Sequence, residues 1–136
     1  MNSPSRNLAV LFADISGSAK LYESLGDSEA LATIDRILAI IKSVCLDGGG
    51  RVVKTIGDEV MAVFPTADAA AHAATEMQAR ISVQRTRRGV PISIHIGFHF
   101  GPAIEDGSDV FGDSVTLAAR LSSLATGGQI LSLIHI

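Results

Sequence analysis

A two-stranded hairpin with an acidic tip is the feature of this sequence that most restricts its fold. Residues 51–64, RVVKTIGDEVMAVF, contain two β-branched runs, and these runs predict strands over 52–56 and 60–64. The letters GDE stand between them, where glycine and a carboxylate favour a reversal of the chain. The pattern therefore predicts a β-hairpin that carries Asp58 at its tip.

A second carboxylate, Asp14, ends the apolar run LAVLFA of residues 8–13 and is followed by the small-residue sequence ISGS. This pattern is typical of a strand, over 8–15, that opens into a loop. If this strand lies beside the hairpin, Asp14 and Asp58 meet at one sheet edge, where they could hold Mg²⁺ against the phosphates of a nucleotide. Taken singly, each aspartate is more simply explained as a cap or turn residue.

The two motifs together resemble a known family. FADISGS around Asp14 and KTIGDEVMAVF around Asp58 are similar to the metal-carboxylate motifs of class III adenylate/guanylate cyclase catalytic domains. HFGPAIEDGSDVFGDSVTLAARL, residues 99–121, is similar to the third signature of that family. The resemblance extends from Leu8 to Ile130 with the same order and spacing of motifs.

The order of predicted elements leads to a matching architecture. It reads βααββαβ, then a short connection, a helix and a strand, which is typical of an α+β ferredoxin-like palm (βαββαβ) with an antiparallel sheet and helices packed on one face. The helices are predicted over 20–25, 28–46 with Asp27 as the cap, 66–88, and from Asp113 or Ser114 to 124. Their predicted buried stripes are Leu31, Ile34, Leu38, Ile41 and Cys45; Ala70, Ala74, Met77 and Ile81; and Leu117, Leu121 and Leu124.

Residues 92–100 alternate between apolar and other residues, which predicts a half-buried strand that Gly101-Pro102 ends. His95 and His99 share its less apolar face. Four residues along a strand span about 13 Å, too far for one metal ion to bridge. Both histidines are therefore expected to be polar-face or interface residues.

Composition favours a single globular domain. The chain has 136 residues, 47% of them hydrophobic, and a formal net charge of −3. That charge gives no reason to expect nucleic acid or an anionic membrane as partner, and no apolar run is long enough to cross a bilayer. The single cysteine, Cys45, is expected in the core, and a cytoplasmic location is expected.

The chain ends are expected to lie outside the domain. Residues 1–7 are predicted to be a disordered leader, and the catalytic domain is predicted over 8–130. The last six residues, LSLIHI, coincide with one reading frame of a transposase end sequence used in library preparation. We therefore expect 131–136 to be a non-native tail and the domain to be incomplete at its C-terminus.

The resemblance implies an adenylate cyclase that converts ATP to 3′,5′-cyclic AMP and pyrophosphate. By the motif match, Asp14, Asp58 and the Ile15 backbone bind two Mg²⁺ or Mn²⁺ ions per active site. The backbone amides of Ser16, Gly17 and Ser18 suit phosphate oxygens at a helix start.

The resemblance also implies how the base and the transition state are recognised. Lys54 matches the position at which lysine accompanies adenine, and Asp109 matches its partner. Without the motif, Lys54 would be explained as an edge-strand residue that prevents aggregation. Arg120 matches the arginine that stabilises transition-state charge, and Thr116 stands where the family commonly has asparagine. Family analogy implies a homodimer whose two sites each take residues from both chains.

Two alternatives remain open. A catalytically weak or inactive pseudo-cyclase, acting as a nucleotide-binding dimerisation module, would explain Thr116 and the lack of Arg or Lys in the arm before Asp109. The diguanylate cyclase palm resembles DISGS and IGDEV but lacks the segment VFGDSVTLAAR.

Overall fold

The computed structural model describes residues 5–133, which form six strands and four helices in one mixed sheet architecture. The predicted α+β palm is confirmed. In chain order the elements are β1 (Ser5–Ile15), α1 (Ser18–Leu25), α2 (Asp27–Asp47), β2 (Arg51–Ile56), β3 (Glu59–Phe64), α3 (Ala67–Ser82), β4 (Ile94–Asp106), β5 (Asp109–Phe111), α4 (Asp113–Leu124) and β6 (Ile130–Leu133).

The sheet is mainly antiparallel, with the strand order β2-β3-β1-β4-β5. Its central strand, β1, pairs antiparallel with both β3 and β4, and β6 runs parallel to β4. The β2–β3 hairpin closes through a two-residue loop in which Gly57 has a φ of 59°. A loop this short requires a left-handed conformation, which glycine adopts without strain.

Helices α1 to α3 cover one face of the sheet and enclose the larger core. The Ala70, Ala74, Met77 and Ile81 stripe of α3 is buried, as predicted, and the α2 stripe is buried except for Leu31, which is 51% exposed. Cys45 lies in this core, where burial raises the pKa of its thiol to about 12. The thiol is therefore a packing group rather than a nucleophile.

Helix α4 packs on the opposite face of the sheet, where none was expected. A smaller core there includes Val10, Phe12, Met61 and Ala118. A Cβ atom on Gly97 would collide with the Ser122 amide nitrogen, so glycine is required for this close approach of α4 to β4. The buried residues of α4 are Ser114, Ala118, Leu121 and Ser122, whereas Leu124, predicted to be buried, is 72% exposed.

Several boundaries differ from the predictions. Residues 5–7 belong to β1 rather than to a disordered leader, because they pair with residues 102–104 of β4. For the same reason Gly101-Pro102 does not end β4, which continues to Asp106. Residues 1–4 and 134–136 lie outside the described residues, and the predicted non-native origin of 131–136 stays a prediction.

Two helix ends also differ. Helix α2 has Gly26 at its N-cap, with no side-chain cap, so the predicted cap at Asp27 is wrong. Helix α3 is capped by Thr66, whose hydroxyl accepts from the Ala69 amide at 3.0 Å, and it ends six residues early, at Ser82. Within residues 5–133, none of the helices has the length and apolar character needed to cross a bilayer.

Candidate active site

Asp14 and Asp58 lie together at one end of the sheet. Asp14 is the penultimate residue of β1. In the sheet it lies directly opposite Glu59 on β3 and His95 on β4. Asp58 occupies the tight turn between β2 and β3, and its carbonyl oxygen accepts a hydrogen bond from the Ile15 amide at 3.4 Å. The antiparallel pairing of β1 with β3 thus brings the end of one strand to the hairpin tip.

The electrostatics of this end of the sheet favour a bound cation. Burial raises the pKa of Asp14 from 3.8 to about 7, helped by a hydrogen bond with Asp58 and by the charges of Asp58 and Glu59, while a bond from the Ile15 amide opposes the shift. Burial also raises the pKa of Glu59. Several carboxyl groups therefore compete to carry negative charge in a half-buried space, and a divalent cation would relieve that competition.

The donor set fits Mg²⁺ or Mn²⁺. The Oδ1 atom of Asp14 is buried and has no hydrogen-bond partner among the described residues. Asp58 acts on Asp14 through its charge and a hydrogen bond, so its carboxylate supplies further hard oxygen atoms nearby, and the Ile15 carbonyl stays a predicted ligand. Among residues 5–133 no group of three or more His, Cys, Asp or Glu forms a metal cage. Mg²⁺ commonly needs only one or two carboxylates, because water and substrate phosphates complete its shell.

Ser16, Gly17 and Ser18 form the turn between β1 and α1. The Ser16 amide donates to the Ser93 carbonyl at 2.9 Å, and its predicted role at a phosphate stays a prediction. Gly17 is the N-cap of α1, and Ser18 begins the helix, where the first amides have no intrahelical acceptor. A cavity of about 350 Å³ includes Ser18 and Asp58 in its lining. Gly17 and Ser18 thus remain as the amide donors of this turn.

Lys54 follows an irregularity in β2. The register shifts between Val52 and Lys54, which makes Val53 the extra residue of a β-bulge. Lys54 pairs with Met61 and therefore shares its face of the sheet. Simple alternation along β2 predicts that Lys54 lies on the same face of the sheet as Val52. That prediction is wrong, because the bulge at Val53 places Lys54 on the opposite face.

Lys54 and Asp109 form an ion pair, with 3.1 Å between Nζ and Oδ2. A bond from the Val110 amide, and then the contact with Lys54, lower the pKa of the Asp109 carboxyl. Three strands separate β2 from β5 in the sheet, so the β4–β5 hairpin must fold across the sheet face to make this contact. Arg51 holds the same hairpin by donating to the Ser108 carbonyl at 3.0 Å.

Thr116 and Arg120 lie one turn apart on α4, and both are exposed. In the part of the chain that the structure describes, neither side chain makes a hydrogen bond or an ion pair. The structure therefore brings the predicted residues together in two groups, Asp14 with Asp58 and Lys54 with Asp109. Within residues 5–133 the side chains of Thr116 and Arg120 make no hydrogen bond or ion pair with either group.

His95 is a site residue that the sequence analysis missed. Its Nε2 atom lies 3.3 Å from Oδ2 of Asp14, and its Nδ1 atom lies 2.7 Å from the Ser122 carbonyl oxygen. The alternation of residues 92–100 places His95 on the face that Gly97 and His99 share. Only the register of β1 against β4 reveals that this position is opposite Asp14.

The raised pKa of Asp14 predicts a pH dependence of stability in the absence of metal. An acid whose folded pKa exceeds its unfolded value destabilises the fold progressively as pH rises from about 4 to about 7. Asp14→Asn removes this penalty, so we expect the variant to gain stability over the wild type across that range. Urea unfolding in EDTA at several pH values measures the difference, and a difference that does not change with pH would contradict the assignment.

A βαββαβ palm with paired aspartates at the end of its central strands defines a class of α+β domains, and the sequence identifies the family within it. The model of the adenylate and guanylate cyclase catalytic domain matches residues 1–132. This chain belongs to that family.

Relatives agree with this assignment. The chain is 32% identical over 137 residues to an adenylate cyclase of Anabaena cylindrica, covering 88% of this chain and 27% of the relative. It is also 32% identical over 126 residues to an adenylate cyclase of Streptomyces coelicolor, covering 93% and 32%. The chain thus spans about a third or less of these curated relatives.

Solved structures show the same fold. An adenylate/guanylate cyclase/hydrolase from Silicibacter pomeroyi matches with a TM-score of 0.81 and 33% identity, covering 96% of this chain and 77% of that one. The monomeric guanylyl cyclase domain of the RhoGC fusion protein from Blastocladiella emersonii matches with a TM-score of 0.86 over 96% and 82%. At 23% identity, this second likeness concerns the fold alone.

Proposed function

We propose that this protein converts ATP to 3′,5′-cyclic AMP and pyrophosphate at sites shared by two copies of the chain. The observation that carries the proposal is that Asp58 lies beside Asp14, whose buried Oδ1 atom has no hydrogen-bond partner among residues 5–133. The ion pair of Lys54 with Asp109 supports a base-recognition site. The similarity to bacterial adenylate cyclases at 32% identity supports ATP over GTP.

Phosphoryl transfer of this kind depends mostly on positioning and on stabilisation of charge. Asp14, Asp58 and the Ile15 carbonyl would hold two Mg²⁺ or Mn²⁺ ions. When bound, such ions activate the 3′-oxygen and neutralise the triphosphate. The amides of Gly17 and Ser18 donate to phosphate oxygens at the start of α1.

Base recognition falls to Lys54 and Asp109. An ammonium group donates and a carboxylate accepts, so the pair matches a ring nitrogen and the exocyclic amino group of adenine. The ion pair holds both groups in place before the base arrives. Guanine presents an oxygen where adenine presents the amino group, and the carboxylate of Asp109 would repel that oxygen.

Arg120 is proposed to stabilise the negative charge on the oxygen atoms around the reacting phosphorus. A guanidinium group offers a planar fork of donors suited to phosphate oxygens. Arg120 is exposed on α4, and no ion pair within residues 5–133 neutralises it. A second chain that supplies Asp14 and Asp58 would bring the two groups together, and a two-fold dimer would then contain two equivalent sites.

A pseudo-cyclase that binds nucleotide without turnover is the second candidate, and Thr116 favours it. A threonine hydroxyl replaces the two-donor amide that the family commonly has at this position. The test combines ATP binding with detection of cyclic AMP and pyrophosphate in the presence of Mg²⁺ or Mn²⁺. The enzyme proposal predicts both products in equal amounts, whereas binding without either product would establish the second candidate.

Lys54→Glu tests base recognition. We expect turnover of ATP to fall by about tenfold or more, because a hydrogen bond to a charged group contributes about 1.5–3 kcal/mol and the new carboxylate would face Asp109. Steady-state rates with ATP measure the loss, and Lys42→Glu on α2 controls for the change of net charge. Equal ATP turnover by Lys54→Glu and wild type would refute a role of Lys54 at the base.

A further inference from the structure

His95 occupies a position between the proposed metal site and α4. It lies on β4 directly opposite Asp14 in the antiparallel pair with β1. The ring is partly buried, and the exposed fraction of its side chain is 17%. Each of its two nitrogen atoms is directed at a different element of the fold.

The end of α4 fixes one side of this ring. Ser122 lies in the last turn of α4, and its carbonyl oxygen is 2.7 Å from Nδ1 of His95. A carbonyl can only accept, so Nδ1 carries the proton and donates. The same oxygen also accepts from the Ala125 amide at 3.2 Å, which is possible because a carbonyl has two lone pairs.

The backbones of β4 and α4 are packed closely beside His95. At Gly97, two residues further along β4, the strand approaches α4 so closely that a side chain would collide with the Ser122 amide. Strand and helix are therefore packed backbone against backbone beside His95. The Nε2 atom lies 3.3 Å from Oδ2 of Asp14. A carboxylate can only accept, so Nε2 donates to it when the ring carries a proton on both nitrogen atoms, and this form of His95 bridges Ser122 and Asp14.

The two carboxylate oxygen atoms of Asp14 have different surroundings. Oδ2 is occupied by His95, while Oδ1 is buried and has no partner among the described residues. Partners of metal-binding groups commonly orient those groups, and their loss typically weakens metal binding by about 10- to 100-fold.

We propose that His95 is a positioning residue that holds Oδ2 of Asp14 and so directs Oδ1 towards the divalent cation. The proposal rests on the proposed function, since it requires a cation at Asp14. His95 also links that carboxylate to α4, the helix that carries Thr116 and Arg120. The orientation of the Asp14 carboxylate and the packing of α4 against β4 therefore both depend on the His95 ring.

The test is Mn²⁺ binding, measured by electron paramagnetic resonance in the absence of nucleotide. We expect His95→Leu to raise the Mn²⁺ dissociation constant by about 10- to 100-fold. His95→Arg keeps donors for both Ser122 and Asp14, so it should restore affinity to within a few-fold of wild type. His99→Leu, a change of the other histidine on the same strand face, is the matched control and should leave affinity unchanged.

A double-mutant cycle separates positioning from general damage to the fold. If His95 acts through Asp14, His95→Leu should add little to the loss that Asp14→Asn causes alone. Equal Mn²⁺ affinity in wild type and His95→Leu, additive losses in the cycle, or failure of the arginine variant to restore binding would each overturn the inference. Absence of Mn²⁺ binding by the wild type would overturn the proposed metal site, and this inference with it.

Discussion

Asp58→Asn is expected to reduce cyclic AMP formation by at least about 10- to 100-fold while the protein stays folded. The amide keeps the size and turn preference of the aspartate at the hairpin tip but is a weaker ligand for Mg²⁺. Loss of residues that merely support a metal ligand costs about 10- to 100-fold, so loss of the ligand itself should cost no less. Steady-state rates with saturating ATP and Mn²⁺ measure the effect.

Two further measurements make this result specific. Thermal unfolding without metal should give Asp58→Asn a melting temperature no lower than that of wild type, because the substitution removes a charge beside Asp14. Asp47→Asn, at the exposed end of α2, serves as a control for the chemical change. Activity of Asp58→Asn within a few-fold of wild type would remove Asp58 from the metal site.

The second large effect concerns two inactive variants that recover activity on mixing. Asp58→Ala and Arg120→Ala should each be inactive as homodimers, because each lesion is present in both sites. In a heterodimer of the two, one site carries both lesions and the other carries neither. Random exchange of subunits makes about half of the dimers mixed, each with one intact site, so about one quarter of wild-type activity should return.

The experiment depends on showing that subunits exchange. Differently tagged variants, mixed and purified through both tags in succession, would isolate the heterodimer directly. That species should have about half the wild-type activity per dimer. An isolated heterodimer as inactive as its parents would exclude sites composed of Asp58 from one chain and Arg120 from the other.

The sequence predicts those parts of the fold that local patterns determine. The hairpin around Asp58 has β-branched runs on both sides of a glycine-aspartate turn, so its strands begin within one residue of their predicted positions. The apolar stripe of α3 from Ala70 to Ile81 is equally local. The resemblance to the cyclase family then supplied what patterns could not, namely that Asp14 and Asp58 belong together.

The remaining features depend on contacts between distant segments. The bulge before Lys54 reverses the face of the lysine, and no local signal in the sequence marks it. His95 lies opposite Asp14 only because β1 and β4 pair in one particular register. Helix α4 buries Ser114, Ala118 and Ser122 together with Leu121, and the close approach at Gly97 is to Ser122, whereas Leu124 is exposed.

A competition between ATP and GTP tests whether this protein is an adenylate cyclase. Wild-type protein receives both nucleotides at equal concentration with Mn²⁺, and the cyclic products are separated and quantified by mass spectrometry. If Lys54 and Asp109 recognise adenine, cyclic AMP should be in at least tenfold excess over cyclic GMP. Guanine would leave a charged group of this pair without a matching partner, at a cost of about 1.5–3 kcal/mol. A predominance of cyclic GMP, or no cyclic product from either nucleotide, would contradict the account.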